Sequence, residues 1–159
     1  MKNTIPRGTL IPTGGGEDRE ESKDILCRII AETGKTNPKI CLITLTTDVP
    51  KKILGVYAQA FKDLNISQIS DIHYTQRVDA DQSDILKKVR DCDLILFSGG
   101  KQLKLSSLSG RTNLIELIKE RYYDEKKVVV AGTSAGAAAM SNTMIIAGST
   151  EEALIKGSL

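Results

Sequence analysis

Val128-Val129-Val130-Ala131-Gly132-Thr133-Ser134-Ala135-Gly136-Ala137 is the stretch that decides the fold. The opening run, Val128 to Ala131, is apolar without a polar face, which predicts a strand buried on both sides. The run breaks at Gly132, and the small residues that follow predict a helix starting at Ser134. Gly132 to Gly136 fits the pattern Gly-x-Ser-x-Gly, a strand that turns abruptly into a helix. Such a turn holds the serine in a strained conformation with its hydroxyl exposed. The glycines two residues to either side let the chain pass without a Cβ clash. The helix N-terminus behind the serine offers N–H groups and a positive dipole end to an oxyanion. The same residues also fit a tight turn in which the serine only caps a helix.

Working outward, the other segments repeat the alternation. Leu94 to Phe97 is a second continuous apolar strand, ended by Ser98-Gly99-Gly100. Thr9 to Thr13 reads as a first strand that breaks into Gly14-Gly15-Gly16. Lys39 to Leu45 is a compact buried strand, and Ile66 to Ile72 is a further one with a poorer period. Between them, Ser22 to Thr33 carries Ile25, Leu26, Ile29 and Ile30 at helical spacing, with Gly34 as its stop. Val49-Pro50 opens a helix with Ile53, Leu54, Tyr57, Phe61 and Leu64 on one face. Asp81 to Val89 and Leu114 to Tyr122 are the remaining helices. Strands apolar on both faces, alternating with helices, predict a parallel, doubly wound α/β sheet covered on both sides. Sheets of this kind bind ligands at the carboxyl ends of their strands. The Gly14–Gly16 loop, the Gly99-Gly100 turn and Ser134 are therefore expected along one edge.

Bulk properties narrow the function. A chain of 159 residues with 40% hydrophobic and 26% charged residues fits one globular domain, here read as residues 1–159. Its net charge of +2, its 4% aromatic content and its lack of Trp argue against a nucleic-acid or membrane-surface partner. No apolar run is long enough to span a bilayer, and Met1 to Arg7 lacks the apolar centre of a signal peptide, so a cytoplasmic location is expected. Cys27, Cys41 and Cys92 are an odd set without Cys-x-x-Cys spacing, and read as reduced buried thiols, not a disulfide frame or a metal site. No internal repeat or linker is visible.

Two further glycine-rich segments matter. Gly99-Gly100-Lys101-Gln102 exposes backbone amides at the expected ligand edge. Of these, the Gly100 N–H is the candidate to join that of Ala135 in an oxyanion hole. An ordinary glycine-rich turn fits as well, and Gln102 is either a substrate contact or a solvated first-turn residue. Gly14-Gly15-Gly16-Glu17-Asp18 lacks the Gly-Lys-Ser/Thr ending of a phosphate loop, and its two carboxylates repel a phosphate.

Together these blocks resemble cyanophycinase and its relatives, a serine peptidase family that includes aspartyl dipeptidase. The resemblance rests on Gly14 to Asp18, on Phe97-Ser98-Gly99-Gly100-Lys101-Gln102-Leu103-Lys104-Leu105 and on Gly132 to Ala137. It continues through Met144-Ile145 to Gly148-Ser149-Thr150-Glu151. One departure is Lys101, where relatives carry Asp or Asn. The resemblance implies a three-layer αβα sandwich like that of class I glutamine amidotransferases and a serine nucleophile without metal or cofactor. It implies a substrate made of a polyaspartate backbone bearing arginines, cleaved to β-Asp-Arg dipeptides. Ser134 matches the nucleophile, Gln102 a substrate-pocket glutamine, and Glu151 an acidic triad member that the pattern does not separate from Glu152. The relatives point to a homodimer.

The family's histidine lies downstream of the elbow, beyond Leu159. The single histidine here, His73, follows the third strand and is expected to be structural or superficial. A serine without a base is a weak nucleophile. The chain is therefore expected to be the N-terminal portion of a longer enzyme. Two further readings remain: a hydrolase of acidic dipeptides, and a catalytically incomplete domain that binds a peptide.

Overall fold

The computed structural model describes residues 5–125 and 128–141. Five strands form one sheet: β1 (Thr9–Thr13), β2 (Ile40–Ile43), β3 (Ile69–Ile72), β4 (Leu94–Phe97) and β5 (Val129–Thr133). Their spatial order is β1-β5-β4-β2-β3, and every pairing is parallel. The helices are α1 (Asp24–Glu32), α2 (Pro50–Asp63), α3 (Ser83–Asp91), α4 (Gln102–Ser109), α5 (Asn113–Asp124) and α6 (Ala135–Ala138), with a 3-10 turn at Arg77–Asp81.

Strand residues alternate between two apolar layers, as the pleat requires. Ile40, Leu42, Leu94, Leu96, Val129 and Ala131 pack with Leu26 and Ile29 of α1 and with Tyr57 and Phe61 of α2. Cys41, Ile43, Ile95, Phe97 and Val130 face the other way, onto Ile85 and Val89 of α3, Leu105 of α4 and Leu114 and Ile118 of α5. This is the expected αβα sandwich. Among the described residues, no helix is long and apolar enough to cross a membrane.

Three readings are corrected. α4 was expected at most as a first turn at Gln102, because Leu103, Leu105 and Leu108 make no sustained helical stripe and the segment is rich in Ser, a weak helix former. The strand expected from Ile66 begins only at Ile69, since the Ile66 N–H still bonds the Phe61 carbonyl at the end of α2. Of the three cysteines, Cys41 and Cys92 are buried but Cys27 is exposed on α1.

The strand order also locates the ligand edge. From β2 the chain moves to β3 at one edge of the sheet, whereas from β4 it moves the opposite way, to β5. β2 and β4 are neighbours whose connections diverge, and sheets of this kind bind ligands at the carboxyl ends of such strands, here beside the end of β5.

Candidate active site

Ser134 follows β5 directly and precedes α6. Its backbone has φ 52° and ψ −113°, a region that costs a residue with a Cβ about 1–3 kcal/mol. The side chain is exposed, and its N–H donates to the Thr13 carbonyl at 3.0 Å, fixing it against the end of β1. The elbow glycines meet the expected steric demand. A Cβ on Gly132 would lie 2.6 Å from the carbonyl carbon of Gly136, and one on Gly136 would overlap the Phe97 carbonyl oxygen.

The structure gathers the three expected segments around this serine. A Cβ on Gly15 would stand 3.0 Å from Ser134 Cβ, and one on Gly99 would stand 3.3 Å from it. Gly99 is thus the nearer residue of the Gly99-Gly100 turn. Gly100 instead presses on Thr46, with φ 144° and no room for a Cβ, which would be 2.5 Å from the Thr46 carbonyl oxygen. Buried Thr46 clamps the turn. Its hydroxyl donates to the Gly99 carbonyl at 2.7 Å, and its carbonyl accepts the Lys101 N–H at 2.8 Å. The next helix begins at Gln102, which is half-buried. Lys101 and Lys104 both pair with Asp48, at 2.5 and 3.0 Å. Ala135 opens α6, which is a single turn, so positive potential at the elbow comes from individual amides and not from a helix macrodipole.

Glu151 and Glu152 lie outside the described residues. His73 stands at the end of β3 with Nδ1 3.0 Å from the Thr44 carbonyl oxygen. Three strand spacings separate β3 from β5. At ~4.8 Å each, that is roughly 14 Å, far beyond proton-transfer reach of Ser134. His73 is a structural histidine, as its place in the sequence suggested.

One residue of the site escaped sequence reasoning. Glu17 looked like one of two carboxylates guarding a loop from phosphate, but it is only 6% exposed. Its carboxylate accepts from Thr133 Oγ1 at 2.6 Å and from the Tyr57 hydroxyl, and Arg19 Nη1 lies 3.9 Å away. Asp18 does different work. It accepts the N–H groups of Glu20, Glu21 and Lys23, which shapes the path into α1. The signal in the sequence was a carboxylate placed directly after the glycines that end β1.

Burial alone would raise the Glu17 carboxyl. The bonds from Thr133 and Tyr57, its own backbone amide and the Arg19 charge outweigh burial, so it sits below the ordinary 4.5. A depressed folded value means that the stabilisation is complete above the ordinary value and is lost as pH falls through the folded one. The Tm difference between wild type and Glu17→Gln is therefore expected to be constant at neutral pH. It should shrink as the pH drops below 4.5, as thermal melts across an acid series would show.

Fold and site together define a parallel α/β protein with an exposed serine at a strand-to-helix elbow. The model of peptidase family S51 matches residues 10–156, and the chain belongs to that family. It is 31% identical over 147 residues to the cyanophycinase of Synechococcus elongatus, covering 92% of this chain and 45% of that protein. To the cyanophycinase of Geminocystis herdmanii it is 32% identical over 146 residues, covering 92% and 53%. The chain spans about half the length of these relatives. A crystal structure of a peptidase from an acI-B1 Actinobacterium superposes with a TM-score of 0.74 at 23% identity, over 89% of this chain and 59% of that one. A putative peptidase E from Listeria monocytogenes gives 0.63 at 20% identity, over 84% and 61%. Both likenesses concern the fold.

Proposed function

We propose that the protein is a cyanophycinase-like serine exopeptidase with Ser134 as its nucleophile. The observation that carries this reading is the strained, exposed serine enclosed by Gly15 and Gly99 at the ligand edge of the sheet. In the proposed cycle, Ser134 Oγ attacks the substrate amide carbonyl, and its proton passes through a base to the leaving amine. The N–H groups of Gly100 and Ala135 hold the oxyanion, and water then releases the acyl group and restores the serine. Gln102, at the start of α4, orients the substrate. Glu151 or Glu152 orients the base, which is not His73. No cofactor takes part. The substrate is the arginine-bearing polyaspartate polymer, and the described residues, sharing one sheet and its two layers, act as one hydrolytic domain in the cytoplasm, as a homodimer.

A second reading, hydrolysis of acidic dipeptides, is favoured by Lys101 and Lys104. These two cations stand beside the Gly99-Gly100 turn against the single carboxylate of Asp48. Treating the full-length protein with a fluorophosphonate is expected to label Ser134 alone, as peptide mapping by mass spectrometry would show. Release of β-Asp-Arg from the polymer supports the first reading, and turnover of Asp-dipeptides alone supports the second. A folded full-length protein that takes no label overturns both.

A further inference from the structure

We propose that Glu17 is a positioning residue for Ser134, acting through Thr133 and the loop after β1. This role rests on Ser134 being the nucleophile. Thr133 is the last residue of β5 and the immediate neighbour of Ser134. Its hydroxyl donates to Glu17 Oε2 at 2.6 Å, while the hydroxyl of Tyr57, on α2 and 1% exposed, donates to Oε1. One buried carboxylate thus ties together the end of β5, the loop after β1 and the helix after β2. Arg19 completes the arrangement, lying 5.2 Å above the Tyr57 ring and 3.9 Å from Glu17 Oε1.

The tie matters because the loop has little else to hold it. Gly14, Gly15 and Gly16 are exposed, and space beside Gly14 and Gly16 is open to 4 Å. Yet Gly15 forms one wall against Ser134 Cβ. Glu17 is the first buried residue after it. Ser134 occupies a backbone region that it keeps only while its surroundings hold it there. Glu17 anchors both the strand end that carries the serine and the wall that faces it. Without the carboxylate, two buried hydroxyl donors lose their acceptor and the wall is released.

The test uses Glu17→Gln, Thr133→Val and Thr133→Ser in the full-length protein, with kcat, KM, fluorophosphonate labelling rate and Tm measured for each. Misplacement of a reacting group by an ångström lowers rates by up to about 100-fold, so Glu17→Gln and Thr133→Val are expected to lose on the order of 10- to 100-fold in kcat and in labelling rate. KM should change little. Thr133→Ser keeps the donor and is expected to retain most of both rates. That rescue separates positioning from mere packing. Thr133→Val also serves as the second probe should Glu17→Gln fail to fold. A wild type that labels and turns over substrate, with Glu17→Gln and Thr133→Val matching it, overturns this role alone. So does a Thr133→Ser variant as impaired as Thr133→Val. A wild type that neither labels nor turns over substrate overturns the functional reading together with this role.

Discussion

Ser134→Ala in the full-length protein is expected to lower kcat on the order of 10,000-fold or more, with KM nearly unchanged. The hydroxyl is the group that forms the covalent bond, so nothing else at the elbow replaces it. Residual turnover would come from the amides and from substrate binding, which survive the substitution. The alanine keeps the Cβ that meets Gly15 and Gly99, so the fold and the strained backbone should both persist. Ser134→Gly sharpens the measurement. Glycine adopts φ 52° without penalty, so that variant should be equally inactive but more stable, by about 1 kcal/mol. Steady-state kinetics and thermal melts read both effects. A Ser134→Ala variant that retained activity would remove the serine from the mechanism.

Gly136→Ala is expected to be the most damaging single methyl group at the elbow. Its Cβ would overlap the Phe97 carbonyl oxygen and lie 2.8 Å from Phe97 Cβ. The carbonyl is backbone at the end of a fully buried strand, so it has no flexible side chain to move aside. Relief requires α6 to lift from β4, which carries Ser134 with it. Overpacking of this kind costs about 1–3 kcal/mol and sometimes more. For a chain of this size each kcal/mol lowers Tm by roughly 2–4 °C, so a fall of about 2–12 °C is expected, with loss of fluorophosphonate labelling. Gly14→Ala is the control. No atom lies within 4 Å of its Cβ, and Tm should stay at the wild-type value. Equal melts for the two variants would show that close packing of α6 on β4 does not hold the elbow.

The two glycine contacts explain why the pattern Gly-x-Ser-x-Gly is informative in the sequence alone. Each glycine is required by backbone that passes within contact distance, and such demands leave a mark on sequence. The layers were legible for the same reason. Leu94 to Phe97 and Val129 to Ala131 are buried on both faces, so they are continuous apolar runs. The extent of helix α4 was not legible, since its serines and irregularly spaced leucines reflect its place against the other elements more than any local preference. The exposure of Cys27 was legible in principle, because at about 100° per residue it falls outside the apolar face formed by Leu26 and Ile29.

The sequence by itself determined the parallel αβα architecture, the elbow at Ser134 and the meeting of three glycine-rich segments at one sheet edge. These follow from local periodicity and from backbone space, which residue types report directly. Only the tertiary structure decided the rest. It separated His73 from Ser134 by three strand spacings, because strand order is set by long-range pairing and not by position along the chain. It also turned Glu17 from a surface carboxylate into the buried partner of Thr133 and Tyr57. A carboxylate is the same residue in either place. Its role comes from donors brought to it by the end of β5 and by α2, and those are known only once the chain has folded.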